Sequence, residues 1–170
     1  MRHPRKKSYL KQKDKLEEDS EAIELSKQII GSLSSKAFDE FKEELTEKTS
    51  EILSILTDDT YIDIAISEQL AIEVFKENEW IPIEKLSNAT MEQIYFSLRL
   101  SLTELLFPNE SMPLLLDNSF AFYDDKRLED TLRFLTSDYN GQVIIFTSNH
   151  REEELLQQLE VDFSKISLNF

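Results

Sequence analysis

The sequence predicts an α/β fold: a mostly parallel sheet covered by helices, an antiparallel meander beside it, and long helices in front. Three observations carry this. Residues 10–56 contain no proline and one glycine, with apolar side chains at helical spacing. From Tyr61 the period shortens to strict alternation. Beyond Pro108, short apolar runs and helical segments follow in the order strand–helix–strand–helix–strand, which favours parallel strands with helices over them.

In the first segment, Phe38, Phe41, Leu45, Ile52 and Leu56 make one stripe, and Ala22, Ile23, Ile29, Ile30 and Leu33 make a similar one upstream. The stretch "GSLSSK" (31–36) between them predicts a break or bend. The heptads are too short and irregular for a coiled coil to follow from spacing, so a packed helix pair and a stalk both fit. In "TYIDIAIS", Ile62, Ile64 and Ile66 alternate with Tyr61, Asp63 and Ala65. With "LAIEVF" and "WIPI" they predict a meander of two or three strands. "LSNATMEQIYFSLRLSLTELL" has a polar entry followed by a helical pattern, with Ile94, Leu98, Leu102, Leu105 and Leu106 expected on the buried face. The run "LLL" after Pro113 suits a strand covered on both faces, and "GQVIIFTS" suits a second. Helices are expected over about 126–135 and from Arg151, and "DFSKISL" is expected as a last strand.

Composition bounds the function. The chain of 170 residues is long enough for one domain with a real core, and no apolar run approaches the roughly 18 residues that span a bilayer. The basic start, "MRHPRKKSYLKQK", has no apolar stretch behind it and is not a secretory signal; a cytoplasmic location is the expectation. Without cysteine there is no disulfide, thiolate chemistry or Cys-based metal site. Residues 1–15 carry seven basic side chains against one acid, so in a chain of net charge −15 the remainder holds about −21. Such a body repels phosphate backbones, which leaves the N-terminal segment as the place where DNA could touch. A solvated helix start explains that segment too. His3 and His150 stand too far apart to suggest a metal pair.

Two places could carry chemistry. Asp117 ends a buried strand, the usual ligand-binding edge of an open α/β sheet, where a carboxylate can hold Mg²⁺ directly or through water. A strand-end aspartate can equally cap a turn. Asp124 and Asp125 could join it on a metal, although helix capping explains Asp124 as well. In "LSNATMEQ", Ser87 and Thr90 are N-cap candidates, Glu92 and Gln93 fall in the first turn, and Thr90 to Gln93 has capping-box spacing. Plain capping and an anion site at a helix N-terminus both fit. The only glycines are Gly31 and Gly141, so a phosphate-cradling glycine loop is missing. Phe120, Phe122 and Tyr123 read as core and interface packing rather than as a base-stacking platform.

Taken in order, these segments resemble one family from about Thr57 to Leu156. "LSNATMEQIYFSLRLSL" is similar to the signature motif and helix of SMC/RecF/RecN-type ATPases, especially the YhaN-like branch with long coiled coils. "PLLLDNSFAFYDDKRL" resembles its Walker B strand and D-loop, and "GQVIIFTSNHRE" its switch strand. The resemblance implies the C-terminal lobe of an ABC-type P-loop NTPase head over residues 57–170, with residues 1–56 as the end of a coiled-coil arm. It implies ATP and Mg²⁺ as cofactors, bound only with a Walker A lobe supplied by an N-terminal half or another polypeptide. A second head and, through the complex, DNA are the further implied partners. An oligomer or complex away from membranes follows.

By the same resemblance, Ser87, Ala89, Thr90, Glu92, Gln93 and Asp124 would contact nucleotide, and Asp117 would hold the metal. Asn118 stands where the family has its catalytic acid, Ala89 where it has the signature glycine, and Asn149 with His150 at the switch. An amide orients water but cannot take its proton. The implied activity is part of a composite ATPase in DNA repair or maintenance with impaired hydrolysis. The alternative is a non-catalytic interaction module derived from such a head.

Overall fold

The computed structural model describes residues 4–67 and 71–168, and the side chains from 15 onward except 17–19, 21–22 and 34–35. The expectations for His3 and for the basic side chains of the first 14 residues therefore lie outside the described residues. The chain forms two compact units, the first ending at Glu43 and the second beginning at Glu44.

One helix, α1, runs from Pro4 to Leu56 and supplies all of the first unit's described structure. It passes through 31–36 without interruption, so neither the expected break nor a helix pair is present. The reason is local: one glycine costs a helix about 1 kcal/mol, and no proline follows to remove a hydrogen bond. Ser32 Oγ folds back onto the Ile29 carbonyl at 2.9 Å, as hydroxyls within helices do. Within the first unit Leu16, Ile23, Leu25, Ile29, Ile30, Leu33 and Phe38 are exposed.

In the second unit the last turns of α1 divide two cores. Ile52 and Leu56 join Phe96, Leu100, Leu114, Leu116, Phe120, Tyr123 and the buried face of a later helix. Their neighbour Leu53 joins Tyr61, Ile64, Ile72, Val74, Ile83 and Ile94. Asp58 and Asp59 leave the helix with φ of 50° and 57°, a turn that Asp tolerates better than most residues.

The second of these cores lies under the meander, β1 (Asp63–Ile66), β2 (Ile72–Lys76) and β3 (Glu79–Pro82), antiparallel and in that order. Asp63, Phe75 and Trp80 share one cross-strand row; Ile64, Val74 and Ile81 share the next, on the opposite face. Glu77 and Asn78, both at positive φ, form the two-residue hairpin between β2 and β3. A short 3₁₀ turn, Ile83–Lys85, leads to α2 (Asn88–Leu106).

The buried face of α2 differs from expectation. Thr90, Gln93, Ile94, Phe96, Ser97, Leu100 and Ser101 are buried, while Leu102 and Leu106 are exposed and Leu98 and Leu105 are half-buried. Small hydroxyl residues let the helix sit close, and Ser97 and Ser101 satisfy themselves on the Gln93 and Ser97 carbonyls at 2.8 and 2.9 Å. Apolar periodicity cannot register a face built on serine.

Next come β4 (Leu114–Asp117), α3 (Asp125–Ser137), β5 (Val143–Phe146) and α4 (Arg151–Gln158), with β4 and β5 parallel. Leu114 and Leu116 pair with Val143 and Ile145 on the face turned to the core. Gly141 is required before β5, because a Cβ there would lie 2.5 Å from the Met112 carbonyl and 2.6 Å from the Tyr139 ring. The sheet is covered on one face only. Leu115 is 61% exposed and Phe146 46%, against the expectation of strands buried on both sides. No third parallel strand forms either: residues 161–168 make no strand, and Phe163, Ile166 and Leu168 are exposed. These residues pair with neither open edge of the two-stranded β4–β5 sheet. No described helix is long and apolar enough to cross a membrane.

Candidate functional site

The carboxyl end of β4 and the N-termini of α2, α3 and α4 carry the expected site residues. At β4, Asp117 is exposed at the last sheet position, and the ladder continues one residue through Asn118 N–H to the Phe146 carbonyl at 2.8 Å. Asn118 then turns the chain with φ 48°, in the left-handed region. Asn enters that region more readily than most residues, which gives this position a conformational reason for its side chain. Ser119 to Tyr123 cross above the core, with Phe120 and Tyr123 buried and their rings 5.4 Å apart, while Phe122 is exposed.

The loop ends at Asp124, the N-cap of α3, whose Oδ1 accepts from Arg127 N–H at 2.9 Å and whose Oδ2 pairs with Arg127 Nε at 3.2 Å. Both carboxylate oxygens of Asp124 are therefore engaged by its own helix. The described residues contain no group of three or more His, Cys, Asp or Glu that could hold a metal ion, so Asp117, Asp124 and Asp125 do not form the cluster that spacing allowed.

At α2 the N-cap is Ser87, whose Oγ accepts from Thr90 N–H at 3.2 Å and lies 3.0 Å from Thr90 Oγ1. Ala89 lies inside the helix and is half-buried, so its backbone is helical and its methyl packs on the core. Thr90 and Gln93 do not form a capping box. Gln93 is buried and turns inward, donating from Nε2 to the Leu56 carbonyl at 2.7 Å, the last residue of α1. Its Oε1 accepts from Arg127 Nη1 at 3.3 Å, and the same nitrogen donates to Thr90 Oγ1 at 3.1 Å. Arg127 thus joins the start of α2, the end of α1 and the start of α3. Sequence reading missed it.

A second missed arginine holds the loop. Arg151, first residue of α4, donates to the Tyr123 carbonyl at 2.8 Å and to the Phe120 carbonyl at 3.0 Å. One signal could have found both residues. Helix first turns disfavour cations, so arginines there imply acceptors elsewhere in the fold.

Glu92 edges a groove with Tyr95, Arg99, Leu102, Phe120 and Tyr123. Its Oε2 is buried without a hydrogen-bond partner, and desolvation raises its pKa. The Tyr123 hydroxyl is pushed up by burial first and then by the Glu92 charge, with Arg127 opposing.

Before α4, Asn149 and His150 are exposed. Asn149 N–H donates to Thr147 Oγ1 at 3.0 Å, and His150 Nδ1 lies 3.6 Å from Glu153 Oε2. Among the described residues no hydrogen bond joins either side chain to Asp117 or Asn118. The structure brings Ser87, Thr90, Gln93 and Asp124 together through Arg127, and leaves Asp117, Asn118, Asn149 and His150 outside that network.

An ABC-type head part is what this architecture resembles among solved structures. The Smc head of Pyrococcus furiosus, with an extended coiled coil and bound to the C-terminal domain of ScpA, superimposes with a TM-score of 0.71 at 19% identity, over 89% of this chain and 40% of that one. The Smc head of Pyrococcus yayanosii, with a coiled coil and joint, gives 0.71 at 18%, over 89% and 31%. An SMC ATPase studied for ATP-driven dimerization and DNA-stimulated activation gives 0.59 at 17%, over 71% and 76%. In sequence the chain is 26% identical over 157 residues to the uncharacterized protein YhaN of Bacillus subtilis (strain 168). That match takes in 88% of this chain and 16% of the length of the relative. No protein-family model matches. The chain has the fold of an SMC-like ATPase head part and is similar in sequence to YhaN.

Proposed function

We propose that this chain is the C-terminal half of an SMC-like ATP-binding head, residues 57–170, preceded by a helical arm, residues 1–56, that is the end of a coiled coil. It contributes the Ser87–Gln93 signature segment and Asp117 to a composite ATP site in a DNA-repair or DNA-maintenance ATPase with impaired hydrolysis. The observation that carries this reading is the open face of the β4–β5 sheet. Leu115 and Phe146 lie in solvent on the face that also bears Asp117, in a fold whose relatives extend well beyond this chain. A lobe with a Walker A loop would cover that face and bring the phosphates to the strand end, whether it comes from the same polypeptide or another.

The residues present suit the cofactors in this divided form. Mg²⁺ usually keeps waters and takes one or two carboxylates beside nucleotide phosphates, so a single exposed Asp117 fits a share of its shell. When bound, the ion neutralises phosphate charge. Ser87 and the free N–H groups of the first α2 turn suit an anion. Asn118 leaves water without a base, a deficit of roughly 10²–10⁴ in rate.

By itself the chain is expected to hydrolyse no ATP above background and to bind it weakly or not at all; micromolar affinity in calorimetry would refute the divided site. With a cognate Walker A lobe added, single-turnover hydrolysis should be slow and should quicken in Asn118→Glu, provided that variant is folded. Asp117→Asn should weaken Mg²⁺-dependent binding. Equal rates in wild type and Asn118→Glu would favour the second reading, an interaction module derived from a head. The left-handed conformation of Asn118 supports that second reading, because it gives the amide a reason unrelated to catalysis.

A further inference from the structure

We propose that Arg127 is a positioning residue that, acting through Thr90, fixes the direction of the Ser87 hydroxyl so that its proton points away from the protein toward a bound phosphate. This rests on the composite-site reading and adds a residue to it. The direction follows from donor and acceptor capacity taken with the partner available to the buried Thr90 proton. A guanidinium can only donate, so at 3.1 Å Thr90 Oγ1 must accept from Arg127 Nη1. Thr90 is 2% exposed, and the Ser87 oxygen 3.0 Å away is the hydroxyl partner that the described residues offer for its proton. Thr90 Oγ1 therefore donates to Ser87 Oγ, which also accepts Thr90 N–H at 3.2 Å. Both lone pairs of Ser87 are taken, and its own O–H is left as a donor on the exposed side.

The other arm of Arg127 makes the relay rigid. Gln93 Oε1 accepts from the guanidinium, and Gln93 Nε2 donates to the Leu56 carbonyl. A flipped Gln93 amide would set N–H against N–H and oxygen against oxygen, so the orientation is determined. Asp124 grips Nε from below. Without the relay, Ser87 O–H could turn inward to Thr90 Oγ1 and present a lone pair to the anion, which repels it.

The test uses the full chain assembled with a cognate Walker A lobe, with Mg²⁺-ATPγS and Mg²⁺-ADP as probes, so that the γ-phosphate contact is read as a difference. Ser87→Ala should lower ATPγS affinity about tenfold, the order expected for a hydrogen bond to a charged group. Thr90→Val keeps the side-chain shape and the capping N–H but ends the relay, and should lower ATPγS affinity several-fold more than ADP affinity. Thr90→Ser keeps the hydroxyl and should restore the preference. In a Ser87→Ala background, Thr90→Val should add nothing. If Ser87→Ala loses the preference while Thr90→Val keeps it, the relay is wrong and the composite site stands. If Ser87→Ala itself loses nothing, the signature reading falls and the relay with it.

Discussion

In the meander, Ile64, Val74 and Ile81 turn inward in one row and close over Leu53 and Ile94, while the next row sets exposed Asp63 and Trp80 on either side of half-buried Phe75. In the β4–β5 pair, Leu114, Leu116, Val143 and Ile145 are likewise packed, and the opposite face sets the exposed Leu115 and Phe146 beside Asp117. Each strand follows the same two-residue period. The alternating sequence expects water on one side, and the continuous apolar run does not. The difference teaches that both outer faces carry apolar side chains, and that the parallel pair leaves the more exposed one, Leu115 at 61% against Trp80 at 45%.

Substitutions within β4 should expose that asymmetry most sharply. Leu116→Ala, at a fully buried position, should cost about 2–5 kcal/mol in denaturant unfolding of the lone chain. Leu115→Ala, one residue earlier, should stay within about 0.5 kcal/mol. Similar costs at the two positions would mean that the outer face is already covered in solution, and light scattering would then show association.

A smaller effect separates the first-turn cations of α3. Arg127→Met leaves the buried Gln93 Oε1 without its donor and removes one of the two partners of Thr90 Oγ1, and should cost about 1–3 kcal/mol. Lys126→Met removes only exposed, solvent-screened pairs with Asp58 and Asp130 and should leave the melting curve close to that of the wild type. Equal melting curves for the two variants would deny Arg127 its place at the junction. Smaller again, Asn118→Ala should cost about 1 kcal/mol for its left-handed backbone, with Asn118→Gly nearer neutral. If Ala and Gly matched, that turn would relax freely and β4 would not hold it.

The smallest expected signal is a pH dependence. Burial raises the pKa of Glu92 above its ordinary 4.5, so the folded state holds this proton more tightly than the unfolded chain. Its contribution to stability is complete below pH 4.5 and is lost as pH rises through the raised value. Glu92→Gln should therefore flatten the stability profile on the alkaline side of pH 4.5. An unchanged profile would mean that water reaches Oε2.

Much of this architecture can be read from residue order. The meander, α2 with its Ser87 cap, α3 with its Asp124 cap, β4 ending at Asp117 and α4 from Arg151 all follow from periods of two or 3.6 and from side chains that bond the nearest backbone. Those are interactions within a few residues, and sequence records them directly. Local cues also misled: "GSLSSK" looks like a break but lacks the proline needed to stop a helix, and Thr90 with Gln93 has capping-box spacing without the geometry.

What only the tertiary structure decided lies in contacts between residues far apart in the chain. Arg127 reaches Thr90 and Gln93 across more than thirty positions, and Arg151 reaches the Phe120 and Tyr123 carbonyls. Each cation sits at a helix start, where the helix dipole opposes it, and the distant acceptors add to what local partners such as Asp124 supply. The same holds for what fails to form. "DFSKISL" has the residues of a strand, yet it joins neither open edge of the β4–β5 pair, and Leu115 stays in solvent because none of the described residues forms a layer over it. Sequence fixes which surface is apolar; the arrangement of the other elements settles whether anything covers it.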